Sequence, residues 1–343
     1  MRVVVTGATG NLGTSVLDAL GTDSSVGSIV GVARRVPDGP APADRPWSKV
    51  EWVAADVVGA DLASVFAGAD AVVHLAWLIQ PSHRIDVMRA TNVAGSERVF
   101  AAAGAAGVPT VVYASSVGAY SPGPKERAVD ETWPTEGTRS SFYGRHKAEV
   151  ERVLDHFEAA HPAVRVVRLR PALIFKRESA ADIRRLFLGS RFPARLLRPG
   201  AIPVVPRTPR LAFQAVHAVD VAEACRLALT SEVRGPFNLA ADPVLDSAEL
   251  GRVLGARPVP VPRLALRIGA DVSWRLRLQP TPPGWVDLAL DVPVLDCTRA
   301  RRELDWAPHW SAGDALLDLL SGFADAASGP TPALARRAPP IGH

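Results

Sequence analysis

Short apolar runs alternate with amphipathic stretches along the first half of the chain. Val3-Val4-Val5, Ile29-Val30-Gly31-Val32-Ala33, residues 50–53, Ala71-Val72-Val73-His74-Leu75, 110–114 and 164–169 read as strands. The runs are continuous rather than alternating, which predicts strands covered on both faces. Between them, Leu12, Val16, Leu17 and Leu20 recur at i, i+4, i+5 and i+8, the period of an amphipathic helix. Residues 84–106 and 143–160 are predicted as further helices. Alternation of this kind predicts an α/β protein built on a doubly wound parallel sheet. Right-handed crossovers place the C-terminal end of every strand on one edge, so the loops 6–13, 34–35, 56–57, 74–77 and 114–120 should converge there.

The pattern breaks after residue 170. Prolines crowd 193–209, 258–262 and 280–283, and the segments 171–213 and 242–320 are predicted to form a smaller lid. Residues 214–241 are expected to return to the sheet domain as a helix (215–229) and a strand (Phe237-Asn238-Leu239). Ser179-x-x-Asp182 has the spacing of a capping box and should start a helix carrying Arg184 and Arg185. Leu264, Leu266, Ile268, Val272, Trp274, Leu276 and Leu278 are interleaved with arginines and are expected to be the packed face of a lid helix, with an apolar substrate wall or a membrane-touching surface as the alternatives. Residues 328–343, rich in Pro, Ala, Arg and Gly, are expected to be disordered.

Of 343 residues, 48% are hydrophobic and 22% charged, ordinary for a soluble globular enzyme. The net charge of +4 comes without the Lys/Arg clusters and interleaved aromatics of a nucleic-acid binder. No stretch approaches the length of a membrane span, and the first apolar run is too short for a signal peptide, so a cytoplasmic location is expected. Cys225 and Cys297 lie far apart and should be buried reduced thiols; no metal is expected.

Chemistry concentrates at the predicted strand ends. Thr6-Gly7-Ala8-Thr9-Gly10-Asn11-Leu12-Gly13 joins a strand to a helix, and such a turn aims free backbone N–H groups and a positive helix end at a phosphate. Arg34-Arg35 stands at the next strand end, where an NAD enzyme places an acid on the ribose 2′-hydroxyl; guanidinium groups there suit a 2′-phosphate and favour NADP, with NAD as the alternative. On a helix, Tyr143 and Lys147 share a face. A lysine cation beside the phenol would lower its pKa from about 10 and suit it to general acid–base work. Ser116, just past a strand end, can hold the reacting oxygen.

Gly7/Gly10/Gly13, Asp56-Val57, His74-Leu75-Ala76, Asn92-Val93-Ala94-Gly95, Ser115-Ser116, Tyr143/Lys147 and Arg170-Pro171 occur in the order seen in the extended short-chain dehydrogenase/reductase superfamily, also called the NAD-dependent epimerase/dehydratase family. The motifs at 216–222, 237–239 and 296–300 extend the resemblance over residues 1–320. The resemblance implies a Rossmann sheet with a C-terminal substrate-binding lid. Ser116, Tyr143 and Lys147 would be catalytic, with Lys147 also on the nicotinamide ribose. Gly7, Thr9, Gly10, Asn11, Leu12 and Gly13 would hold the phosphates, and Asp56 and Val57 would touch the adenine. Leu75, Ala76 and Trp77 would line the pyrophosphate and ribose path, with Asn92 supporting the active-site backbone. Ala114 and Ser115 would flank the cofactor, and Pro171 to Leu173 would pack on the nicotinamide. A homodimer through the helices at 84–106 and 143–160 is implied as well.

Two positions depart from the nucleotide-sugar members of that superfamily. Leu173 stands where an Asn recurs, and Phe213 where an Arg recurs, although Arg210 is close. Apolar side chains cannot pair a diphosphate. The expected function is therefore hydride transfer on a hydroxyl/carbonyl pair of a small molecule. A nucleotide-sugar epimerase or dehydratase is the alternative, and a non-catalytic NADP sensor a second one.

Overall fold

The structure is a computed structural model describing residues 1–335 apart from 40–41, 81, 190–191 and 198–199. Seven parallel strands form the central sheet: β1 (Arg2–Thr6), β2 (Ser28–Ala33), β3 (Val50–Ala54), β4 (Ala71–His74), β5 (Thr110–Ala114), β6 (Arg165–Pro171) and β7 (Gly235–Leu239). Their spatial order is β7-β6-β5-β4-β1-β2-β3. The order reverses between β1 and β4, the switch point at which doubly wound sheets take their ligands.

Each face of the sheet carries its own core. Val3 and Val5 point to one face, where helix α1 (Asn11–Thr22) packs Leu12, Val16, Leu17 and Leu20 beside helix α2 (Ala218–Thr230). Val4 and Val72 point to the other, against Val99, Phe100 and Ala103 of Gly95–Ala105 and Val150 and Leu154 of helix α3 (Phe142–Ala160). Alternate residues of a strand face opposite sides, so an unbroken apolar run serves both cores. A third cluster packs elements after residue 170 together, with Leu245, Leu250 and Leu254 against Leu319, Leu320 and Phe323 of the helix Ala312–Ala324.

Several expectations shift. The helix expected from 215 begins at Ala218, because Ala212–His217 forms a strand between Leu173–Phe175 and Ala241–Asp246. His217 then caps α2, its Nδ1 accepting from the Val219 N–H at 3.3 Å. Ser179 does not act as a cap: its hydroxyl donates to the Lys176 carbonyl at 2.6 Å, and Asp182 pairs with Arg185. The helix Arg263–Arg275 has no buried residue, and Leu264, Ile268, Val272 and Leu276 are about half or more exposed, so its apolar stripe is not a packed face. The tail expected to be disordered is placed as far as residue 335, with Thr331 and Leu334 fully buried; residues 336–343 lie outside the described residues. Among the described residues, no helix is long and apolar enough to cross a membrane.

Candidate functional site

Gly7 ends β1 with φ of 74°, a left-handed conformation that side chains resist. A Cβ there would stand 2.6 Å from the Ala76 nitrogen, and one on Gly13 would stand 2.3 Å from the Gly7 carbonyl oxygen. The turn is thus pressed against the end of β4 and against α1. Gly10 precedes α1 and has no side chain to cap it, leaving the first-turn N–H groups to a ligand. Leu12 is packed into the core and can contribute only backbone, whereas Asn11 Oδ1 is buried without a partner. A cradle that tolerates no Cβ and an open helix N-terminus fit a dinucleotide pyrophosphate, while Asn11 Oδ1, an acceptor, suits a hydroxyl or N–H donor rather than a phosphate oxygen.

A cleft of about 160 Å³ runs from this turn over the ends of β2 and β3, lined by Gly7, Thr9, Gly10, Arg34, Arg35, Asp56, Val57, Leu75, Ala76, Trp77 and Leu78, among others. Four of the strand-end loops expected to converge meet at this cleft, those at 6–13, 34–35, 56–57 and 74–77, whereas 114–120 does not line it. Asp56 is fixed by its carboxylate, which accepts from the Val58 N–H at 3.0 Å. Burial, then the neighbouring charges of Arg34 and Arg185, lowers the pKa of Arg35. Arg185 reaches this point from the turn Arg184–Leu188 and is itself paired with Asp182.

A buried hydrogen-bond thread fixes the floor. Thr6 Oγ1 meets His74 Nδ1 at 2.7 Å, His74 Nε2 meets Ser96 Oγ at 2.8 Å, and Ser96 donates to the Asn92 carbonyl at 2.6 Å. Burial, then the Lys147 charge, brings His74 down to about 3, so the ring is neutral at ordinary pH. Asn92 sits in a π-turn, Ala90–Ala94, and its amide clamps both backbone groups of Leu78, accepting from N–H at 2.7 Å and donating to C=O at 2.8 Å.

Ser116, Tyr143 and Lys147 stand together at the ends of β5 and α3. Ser116 caps a short turn, its Oγ accepting from the Gly118 N–H at 3.0 Å, and it hydrogen-bonds Tyr143. Burial raises the Tyr143 phenol above its usual value, partly offset by the Ser116 bond. Lys147 does not reach that phenol. Its Nζ donates to the Ala114 carbonyl at 2.7 Å, lies 3.3 Å from the Tyr113 hydroxyl, and sits 3.7 Å from the Trp77 ring centre. Burial lowers Lys147 to about 7, with Glu151 opposing the shift. The expected Lys147-to-phenol pairing is thus replaced by desolvation, which keeps Tyr143 protonated. Trp77 and Trp285 flank the phenol ring, with centroids at 5.9 and 4.9 Å.

The Ser115 side chain turns away from the expected cofactor contact: its hydroxyl donates to buried Glu151 at 2.5 Å. Glu151 was not singled out in the sequence, although it follows Tyr143 and Lys147 at the same four-residue spacing. Its two oxygens also take Arg170 Nε and Nη2, each at 2.9 Å, and Arg168 Nη1 at 3.1 Å. Burial alone would push Glu151 up, but Arg170, Arg168 and the Ser115 hydroxyl bring it down to about 2. Two arginines at alternate positions of a buried strand are the sequence signal that a buried carboxylate must face them. Gly118 was missed too: a Cβ there would lie 2.8 Å from Tyr143 Cε1. Only spacing around the tyrosine, not any motif, could have pointed to it.

At the substrate end, Pro171 is buried at the end of β6 and Leu173 is 38% exposed. Phe213 packs on the third cluster. Arg210 spends its donors on the Leu290 and Gly123 carbonyls, at 3.2 and 2.7 Å, rather than standing in for the missing arginine.

Comparison with known proteins agrees with this architecture. An uncharacterized protein of Mycobacterium tuberculosis is 28% identical over 324 residues, covering 93% of this chain and 29% of that protein. The chain thus spans under a third of the length of the first relatives it matches. A second uncharacterized protein of the same organism is 26% identical over 340 residues, covering 93% of this chain and 83% of its own. L-arabinose 1-dehydrogenase (NAD(P)(+)) of Haloferax volcanii is 34% identical over 116 residues, 34% of this chain and 41% of the enzyme. Among solved structures, UDP-glucuronic acid 4-epimerase from Bacillus cereus in complex with NAD superposes with a TM-score of 0.69 at 17% identity, covering 95% and 99% of the two chains. The dTDP-glucose 4,6-dehydratase of Streptomyces venezuelae, with NAD bound, gives 0.68 at 20% identity over 95% and 97%. The model of the NAD-dependent epimerase/dehydratase family, a family of enzymes, matches residues 3–240, and with the switch-point cleft and its glycine turn this places the chain in that family.

Proposed function

We propose that the protein is an NADP-linked oxidoreductase that interconverts a hydroxyl and a carbonyl on a small molecule, with Tyr143 as the proton carrier. The observation that carries this reading is the meeting of Ser116, Tyr143 and Lys147 at the edge of a cleft lined by the glycine turn and by Arg34 and Arg35. A nicotinamide bound there would supply or accept the hydride. Tyr143, held protonated by burial, donates a proton to the substrate oxygen as a carbonyl is reduced and recovers it in the reverse direction. Ser116 orients that oxygen and the phenol. Lys147, anchored on the Ala114 carbonyl, offers its remaining donors to the ribose. Trp77 and Trp285 exclude water from the phenol. Pro171 and Leu173 form the nicotinamide wall, and Ala114 contributes its backbone. The homodimer through the 84–106 and 143–160 helices belongs to the same reading and is checked by the mass in solution.

The 2′-phosphate preference rests on Arg34 and Arg35. Replacing Arg35 with alanine should weaken NADPH binding about tenfold, the loss of one charge-assisted contact, and leave NADH within about twofold. Equal losses for both nucleotides would refute the preference. Tyr143→Phe should bind nucleotide normally and lose turnover by at least about a hundredfold; unchanged turnover would sink the mechanism.

Family membership supports a second reading, epimerase or dehydratase chemistry on a nucleotide sugar, in which nucleotide is regenerated each turnover. Leu173 and Phe213 count against it. Net consumption of NADPH with a carbonyl substrate, and none with UDP- or dTDP-sugars, separates the two.

A further inference from the structure

Residues 329–335 lie against the cofactor cleft, although nothing in the family motifs calls for them there. Thr331, 1% exposed, donates its hydroxyl to the carbonyl of Thr9 in the phosphate turn at 2.7 Å. Leu334 is fully buried and closes a compact turn: its N–H donates to the Thr331 carbonyl at 3.0 Å, and its carbonyl accepts from Gly329 at 3.1 Å. Ala333 lines the same cleft as Arg34, Arg35, Asp56 and Val57. Its carbonyl is held at 2.9 Å by Arg185, which stands in the lid turn Arg184–Leu188 and pairs with Asp182. One short segment therefore bonds the phosphate turn on one side and the lid on the other.

We propose that residues 329–335 and Arg185 form a further part of the cofactor site, a latch across the adenosine end that slows release of a bound dinucleotide. The inference rests on the cofactor reading given above. A dinucleotide held from the glycine turn to Arg34 and Arg35 would occupy the cleft that Ala333 lines, and its release would then involve lifting the segment. Lifting breaks the Thr331–Thr9 and Arg185–Ala333 bonds and uncovers Leu334. Burial and bonding, not the charge of the segment, supply the resistance, so the effect is common to NADPH and NADH.

The test uses the full chain, a chain ending at Ser328, and Thr331→Val, which keeps the buried volume while removing the hydroxyl. NADPH or NADH is bound, followed by energy transfer from tryptophan, and then chased with excess oxidised nucleotide. The truncated chain should release both reduced nucleotides about tenfold faster, and Thr331→Val a few-fold faster, the scale of one lost hydrogen bond. Thr331→Ser should restore the slow rate. Unchanged release in both variants overturns the latch while leaving the cofactor reading intact. Tighter binding to the truncated chain also overturns it, because the segment would then be competing for the ligand's space. Failure of the full chain to bind either nucleotide removes the cofactor reading and the latch together.

Discussion

Glu151→Gln tests the buried charge cluster that stands behind Tyr143 and Lys147. The carboxylate is 1% exposed and receives two bonds from Arg170, one from Arg168 and one from the Ser115 hydroxyl. A glutamine of the same shape keeps one acceptor oxygen but presents an amide donor to a guanidinium that can only donate. Breaking one side of a buried pair leaves an uncompensated charge and costs about 3–5 kcal/mol. The depressed pKa gives an independent scale: a carboxyl lowered to about 2 on folding contributes on the order of 3 kcal/mol. The sign follows from the direction of the shift. The folded value lies below the unfolded one, so the contribution is fully present above about pH 4.5 and is lost as pH falls towards 2. Urea unfolding of wild type and variant, followed by tryptophan fluorescence from pH 7 to 3, should show a gap of about 3 kcal/mol that narrows in acid. A gap under about 1 kcal/mol at pH 7, or one that ignores pH, would refute the reasoning. It would mean that Asp155 and Glu158, which already touch Arg168, absorb the stranded charge. Adding Arg170→Met to the variant should recover part of the loss, since the unpaired cation goes with it.

Two further perturbations read the site itself. Gly118→Ala would set a Cβ 2.8 Å from Tyr143 Cε1 and 3.4 Å from Ser116 Oγ, so the ring must give by roughly an ångström to reach ordinary contact. Displacement on that scale costs about a hundredfold in turnover of any carbonyl the wild type reduces, with nucleotide affinity unchanged; a parallel fall in affinity would contradict it. Gly13→Ala meets the Gly7 carbonyl at 2.3 Å, backbone that cannot yield without opening the phosphate turn. NADPH binding by calorimetry should weaken at least about tenfold, and binding within twofold of wild type would show that the turn relaxes.

Much of the sheet was readable because a strand buried on both faces leaves an unbroken apolar run, as at Val3–Val5 and Ala71–Val73. The tight turn after β1 was readable because only glycine permits its geometry at residues 7 and 13. Where tertiary contacts decide, local pattern fell short. Ala215 and Val216 pass for the first turn of a helix until Leu173 and Ile174 pair with them as a strand. Ser115 looks like a cleft residue until Glu151, 36 positions away, claims its hydroxyl. Thr331 lies in a composition that suggests disorder, yet it finds a carbonyl 322 residues earlier. Such partners carry no short-range signal. The pairing of Lys147 with the Tyr143 phenol was misjudged for another reason: helical spacing puts two residues on one face but does not say which acceptor the longer side chain will choose.

The π-turn at Ala90–Ala94 makes chain length, rather than side-chain identity, the sensitive variable of this stretch. It inserts an extra residue per turn between Ile85–Arg89 and Gly95–Ala105. Removing any one residue from 90–94 would let the run close as a regular α-helix: four α residues sweep nearly the angle of five π residues, so the two halves keep their facing while the wide turn that carries Asn92 is lost. The Asn92 amide would be drawn off Leu78, although every motif letter outside the gap remained and Ser96 still faced His74. Among relatives, gaps should therefore avoid these five positions even where substitutions do not. A sequence carrying the family's glycines, tyrosine and lysine but one residue short here should fold its sheet and lose the alignment of residues 75–78 with the cleft.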